Sequence, residues 1–198
     1  MRRNPALLVL SIAAISACGT ADDPAVTADS AAGPADEILA APLMDPDGTE
    51  RGSVDVTFTP DGATLSVLAT GLPPGLHGFH IHKTGTCEPD SADPTKPEMT
   101  GDFLSAGGHL AEEGQTHGDH DGDLPSLLVR ADGSANLVVT TDRLSRESLL
   151  DSDGSAVMVH EKSDNFGNVP DRYAPTLDDT TKKTGDAGPR LACAVLEG

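Results

Sequence analysis

Val54-Asp55-Val56-Thr57-Phe58-Thr59 runs into Pro60-Asp61-Gly62-Ala63 and out again as Thr64-Leu65-Ser66-Val67-Leu68-Ala69. Val54, Val56 and Phe58 alternate with polar residues on the way in, and Leu65, Val67 and Ala69 alternate almost as cleanly on the way out. A period of two puts one apolar face against a core and leaves the other wet, and Asp-Gly between two such runs is a strong hairpin signal. The same dipeptide stands at Asp47-Gly48, Asp132-Gly133 and Asp153-Gly154, each between stretches of β-type composition. Further strands are expected at 38–44, 76–82, 125–131, 135–141, 155–161 and 190–197, about eight in all. Beyond one turn within 143–150, nothing has the pattern of an amphipathic helix. Aromatic residues make up 3% of the chain, with no Trp, against 21 glycines and 15 prolines. That composition suits a turn-rich all-β protein with small core side chains, for which a β-sandwich or Greek-key barrel is the natural closure. At 198 residues the chain has room for one domain and an appendage.

The appendage is at the N-terminus. Arg2 and Arg3 precede an apolar run from Ala6 to Ala17, too short to span a bilayer and shaped like an export signal. Its end, Ile15-Ser16-Ala17-Cys18, resembles a bacterial lipobox, in which Cys18 becomes the lipidated first residue. The expectation is a signal peptide over 1–17, a flexible tether over 18–36 and a folded domain over 37–198. The protein would then be exported and held by lipid in the periplasm or on the cell surface, with no other contact with membrane. Lys and Arg total 13 against 32 Asp and Glu, a formal charge of −19. Taking away residues 1–17 removes two arginines and no acid, leaving 11 against 32, or −21. Such a surface argues against nucleic acid as a partner, because phosphate binding rests on basic side chains. If Cys18 carries lipid, Cys87 and Cys193 are left in an oxidising compartment, where two free thiols are less expected than a disulfide between them.

Two segments, 83–124 and 162–189, resist strand assignment, and loops that long in a compact domain usually carry function. Six of the seven histidines (77, 80, 82, 109, 117, 120 and 160) fall in them, beside them or at strand ends. In Gly78-Phe79-His80-Ile81-His82 the strand period puts both imidazoles on one face and the apolar side chains on the other, so two nitrogen ligands converge. Gly107-Gly108-His109, His117 and His120-Asp121-Gly122-Asp123 supply three imidazoles and a carboxylate, a set that suits tetrahedral zinc, although an acidic solvated loop has the same composition. A calcium loop starting at Asp119 fails, because its sixth position is Leu124 and its twelfth Arg130. Val157-Met158-Val159-His160 ends an apolar strand on an imidazole that opens the second long loop.

Together these pieces resemble the copper/zinc superoxide dismutase family, in its bacterial exported branch, over residues 37–198. The motifs are Gly78-Phe79-His80-Ile81-His82, Ala106-Gly107-Gly108-His109, His120-Asp121-Gly122-Asp123-Leu124-Pro125, His160-Glu161-Lys162-Ser163-Asp164 and Gly185-Asp186-Ala187-Gly188-Pro189-Arg190-Leu191-Ala192-Cys193. The resemblance implies an eight-stranded Greek-key barrel with copper on His80, His82, His109 and His160. It implies zinc on His109, His117, His120 and Asp123, His109 bridging the ions, and a Cys87–Cys193 disulfide. His77 would orient the copper-bearing strand, and Asp164 would accept N–H groups of histidines from both sites. Superoxide would be the substrate, converted to dioxygen and hydrogen peroxide as copper alternates between two oxidation states. His109 would carry a proton, and Arg190 would draw in and orient the anion, with Lys183 preferred to Lys182 as a further guiding cation.

The chain also departs from the family pattern. Only Gly118 and Asp119 separate His117 from His120, a shorter spacing than in many members, so the zinc loop must turn more tightly. Asp186 stands where a neutral residue is common and would weaken anion attraction, and residues 88–102 carry no recognisable chemistry. A protein of the same fold that stores or delivers metal without catalysis is the competing reading. Monomer and homodimer both remain open.

Overall fold

The computed structural model describes residues 38–198. The stretches expected to be an export signal (1–17), a lipidated Cys18 and a tether (18–36) lie outside the described residues. In chain order the elements are β1 (Ile38–Met44), β2 (Glu50–Thr59), β3 (Gly62–Ala69), β4 (Gly75–His82), β5 (Ser91–Asp93), β6 (Lys96–Gly101) and β7 (Asp123–Val129). They continue as β8 (Ala135–Thr141), α1 (Arg146–Leu149), β9 (Ser155–His160), α2 (Asp179–Thr184) and β10 (Arg190–Leu196).

Val54 and Val56 of β2 meet Val67 and Leu65 of β3 across the Asp61-Gly62 turn, and all four are fully buried. Repeating this alternation around the chain gives a closed antiparallel barrel in the order β1-β10-β9-β4-β7-β8-β3-β2. Its interior is filled by side chains such as Leu43, Phe79, Ile81, Leu127 and Val159. Each fully buried side chain of this size contributes about 1.5–3 kcal/mol relative to exposure. The first and last strands meet at a single register pair, Met44↔Cys193.

The strands carrying the histidines are buried on both faces. In β9 every residue is buried, and in β4 every residue from His77 to His82. Phe79, Ile81, Val157 and Val159 face the interior; His80, His82 and Met158 face outward, under the long loops. A smaller apolar cluster of Phe103, Ala106, Ala156, Met158 and Cys193 packs on that outer side, against Cys87. The Cys87–Cys193 disulfide forms there, tying the first loop to β10.

Several sequence expectations change. Asp153-Gly154 makes no hairpin but links α1 to β9. The first long segment contains the β5–β6 hairpin, whose exposed polar residues have no alternation to read. The second contains α2, a helix too short to show a face; Asp178 caps it by accepting from Thr181 N–H, and Gly185 ends it in the left-handed region at φ 59°. The barrel strand expected at 125–131 starts two residues earlier, at Asp123.

Candidate metal centre

Three cross-strand pairings assemble the site. His80 of β4 is the register partner of Asp123 at the start of β7, and His160 of β9 is the partner of Arg190 at the start of β10. An isolated bridge sets His82 beside His109 in the first loop. A register irregularity between His77 and Phe79 marks Gly78, where a Cβ would come within 2.6 Å of Ala187 Cβ. Glycine at this point lets the second loop close over the histidine face, and Gly78 N–H donates to Lys162 O at 2.8 Å.

His80, His82, His109 and His160 are all buried, with ligand atoms within 4.8 Å of one another. Each of three has one ring nitrogen satisfied from outside the cluster. His80 Nε2 lies 2.7 Å from Asp164 Oδ2, His82 Nδ1 2.8 Å from Gly107 O and His160 Nδ1 3.0 Å from Gly188 O. These acceptors require N–H on those nitrogens, so in the neutral rings the other nitrogen presents a lone pair. His82 Nε2 and His160 Nε2 therefore point lone pairs at each other over 3.3 Å, and His80 Nδ1 is buried without a hydrogen-bond partner. Burial drives the pKa of His80 down, and those of His82 and His160 far down, the Arg190 cation adding to the effect on His82. Neutral imidazoles converging with unshared lone pairs fit a copper-type cation, which imidazole suits.

His109 differs from the other three. Its Nδ1 meets Asp123 Oδ1 at 2.8 Å, while its buried Nε2 has no partner. Burial takes its pKa down to about 3 despite the Asp123 hydrogen bond. One ring thus faces both halves of the site. In the second half Asp123 Oδ1 also lies 3.3 Å from His117 Nδ1 and 3.3 Å from His120 Nδ1. Three imidazole nitrogens around one carboxylate are a zinc-type donor set. A close group of His80, His109, His117 and Asp123 is also present, and His120, expected as a zinc ligand, is not among its members. His80 Nε2 is hydrogen-bonded to Asp164, and His120 reaches the group through Asp123, its Nδ1 lying 3.3 Å from Oδ1.

Asp164, its side chain fully buried, joins the halves: Oδ2 accepts from His80 and Oδ1 from His117 Nε2 at 2.7 Å, with Phe166 N–H also on Oδ1 at 2.7 Å. Burial pushes the carboxyls of Asp164 and Asp123 up, but hydrogen bonds from the histidines overcome it and hold both well below the carboxylate range. Burial also opposes charge on His117, yet Asp123 and Asp164 on its two sides raise it to about 9. His77 bridges β4 to the end of β9, with Nδ1 2.7 Å from His160 O and Nε2 2.8 Å from Pro73 O.

Arg190 donates through Nη1 to Phe103 O and through Nη2 to Gly107 O at 2.5 Å, so Gly107 O serves both Arg190 and His82. Burial lowers its pKa to about 10, opposed by the Asp93 carboxylate, and it stays charged at neutral pH. The segment holding Arg190 is braced by the region read as empty of chemistry, since Phe103 N–H donates to Glu88 O and Ser105 N–H to Ser91 Oγ. Carbonyl groups carry no side-chain signature, which hid this role in the sequence. Lys183 is exposed on α2, a helix bound to the second half through His117 N–H and Lys182 O at 2.8 Å. Asp186 Oδ2 accepts from Asn165 Nδ2 at 2.6 Å and Thr181 Oγ1 at 2.9 Å, pinning the second loop.

The sequence profile of the family described as Copper/zinc superoxide dismutase (SODC) matches residues 50–196. The chain belongs to the copper/zinc superoxide dismutase family. Among its relatives, the Superoxide dismutase [Cu-Zn] of Mycobacterium tuberculosis is 45% identical over 172 residues, covering 82% of this chain and 71% of that protein. The Superoxide dismutase [Cu-Zn] of Escherichia coli K12 is 38% identical over 156 residues, 76% of this chain and 80% of the relative. Among solved structures, the Cu/Zn superoxide dismutase from Brucella abortus superposes with a TM-score of 0.62 at 29% identity, covering 81% of this chain and 100% of the other. Membership in the family agrees with the barrel, the disulfide and a donor set that fits copper and zinc.

Proposed function

We propose that the chain is a copper- and zinc-dependent superoxide dismutase. Copper would be held by His80, His82, His109 and His160, and zinc by His109, His117, His120 and Asp123. The observation that carries the reading is the pattern of ring nitrogens: each copper-side histidine but His109 has its other nitrogen capped by an outside oxygen, and His109 alone turns one nitrogen to each half. Copper, when bound, supplies the change of oxidation state by which one superoxide becomes dioxygen and a second, with two protons, becomes hydrogen peroxide. His80, His82 and His160 stay neutral through burial and keep fixed orientations. His109 Nε2 is the atom at which a proton can be held and passed toward the substrate. Arg190, fixed by two carbonyls and opposite His160, attracts and orients the anion in a protein whose net charge would repel it. Metal storage alone would not call for a guanidinium fixed in that place. Lys183 is the further guiding cation that family resemblance supplies.

The proposal extends to location. Arg2, Arg3, the apolar run to Ala17, Cys18 and the disulfide support an exported, lipid-anchored protein of the cell envelope, with residues 18–36 as its tether and 37–198 as its domain. Changing Cys18→Ser should move it from the membrane fraction to the soluble one.

The main test is metal analysis with a superoxide-decay assay on the chain reconstituted with both metals. About one copper and one zinc per chain with fast decay is expected, given one donor set of each kind. Full metal content without acceleration would favour the metal-holding reading.

A further inference from the structure

His117 and His120 stand at the two ends of a tight turn, with only Gly118 and Asp119 between them. From inside, Gly118 N–H and His120 N–H donate to Asp123 Oδ2 at 2.7 and 3.1 Å, and Asp119 N–H donates to Thr116 O at 2.9 Å. From outside, Arg143 reaches across with two donors. Its Nη1 donates to His120 O at 3.3 Å, and its Nη2 to Asp119 Oδ1 at 2.8 Å.

The base of that arm is anchored. Arg143 comes two residues after the end of β8, its N–H donating to Thr141 Oγ1 at 3.1 Å. Leu144 is fully buried in the barrel core, and Ser145 accepts from Ser148 N–H to cap α1. The guanidinium therefore projects from the barrel wall onto two adjacent residues of the turn. Its planar fork suits this, where a lysine ammonium would serve one acceptor well. Both members of the ion pair are solvent-exposed, at 43% and 69%, and pairs of that kind add little to folding. A contact of small weight for stability that grips the backbone of a donor residue points to a role in the donor's orientation.

We propose that Arg143 is a positioning residue for zinc, clamping the turn from His117 to His120 to the barrel so that both imidazoles stay aimed at Asp123. The clamp would offset the short spacing between them. It rests on the reading of His117 and His120 as zinc ligands and assigns Arg143 no part in the chemistry at copper.

The test is competition of the full chain with a chromogenic chelator for zinc, alongside a copper titration and thermal melting of the metal-free chain. Arg143→Gln should weaken zinc binding by about tenfold or more, as loss of partners that orient ligands commonly does. Copper affinity and metal-free melting should stay unchanged. Arg143→Lys, able to keep one acceptor, should recover part of the loss, and Asp119→Asn should lose less than Arg143→Gln. A merely structural role would lower copper affinity and melting temperature together with zinc, and that result would overturn the proposal. So would zinc affinity in Arg143→Gln equal to that of the parent. A parent chain that takes up no zinc would overturn the zinc assignment and the clamp together, whereas zinc-binding parent and variant of equal affinity would overturn the clamp alone.

Discussion

Arg190 and His160 are register partners, facing each other at the ends of β10 and β9. The ladder that closes the barrel thus sets the distance between the anion guide and a copper-side imidazole, so position is built into backbone pairing. Replacing Arg190 by Ala should slow superoxide decay roughly tenfold or more at low ionic strength, within the range of steering effects on association. Metal content should be unchanged. Arg190→Lys should fall between the two, and pulse radiolysis on metal-loaded chains measures all three.

Asp164 holds His80 with one oxygen and His117 with the other. Asp164→Ala frees both rings at once, so copper and zinc affinity should both drop, by about 10–100-fold, the usual scale for such partners. Titration of each metal against a chelator checks this. A loss confined to one metal would contradict the bridging role.

Stability of the metal-free chain should peak near pH 6.5. His80, His82, His109 and His160 have folded pKa values below the ordinary 6.5. Below that pH the unfolded chain binds protons that the folded chain refuses, and stability falls as pH drops. His117 is shifted the other way, to about 9. Its contribution is complete below pH 6.5 and is lost as pH rises toward 9. Thermal melts across this range should give a maximum with a steeper acid side, and saturating zinc should remove the alkaline slope.

The barrel and the His80–His82 pair were legible in the sequence through side-chain periodicity, whereas the full ligand set followed from the resemblance to the family. Val54, Val56, Leu65 and Val67 announce their strands by alternation, and His80 and His82 share a face for the same reason. What stayed hidden is backbone chemistry. Nothing in the letters says that Phe103 and Gly107 offer carbonyls to Arg190, or that Glu88 and Ser91 support that segment. The β5–β6 hairpin escaped because exposed polar strands have no apolar face to give a period. Asp153-Gly154 misled because the dipeptide reports a reversal without saying what it joins.

Gly185 sits at φ 59°, where a Cβ would land on Asp164 Oδ1 and His117 Nε2. Gly185→Ala should therefore break the hydrogen bond between those residues as well as strain the end of α2. A loss of about 1–3 kcal/mol in the metal-free chain is expected from the backbone alone. Zinc affinity should fall with it, measured by melting and by chelator competition.

The Cys87–Cys193 bridge spans a sequence separation of 106. Closing a loop of that length stabilises a fold by about 4–5 kcal/mol in the chain-entropy model. Cys193→Ser should lower the melting point of the metal-free chain accordingly. It should also loosen the segment that holds Arg190, so activity at full metal loading should drop beyond what stability explains.

The meeting of β1 and β10 at Met44 and Cys193 has a bearing on timing. A chain that emerges N-terminus first has made every histidine of the cluster by residue 160, yet it still lacks the strand that faces His160 and completes the ring. Closure through contacts so distant in sequence is a late event in folding. Half-made chains would carry the donors without the enclosure, and metal capture would become a property of the finished molecule.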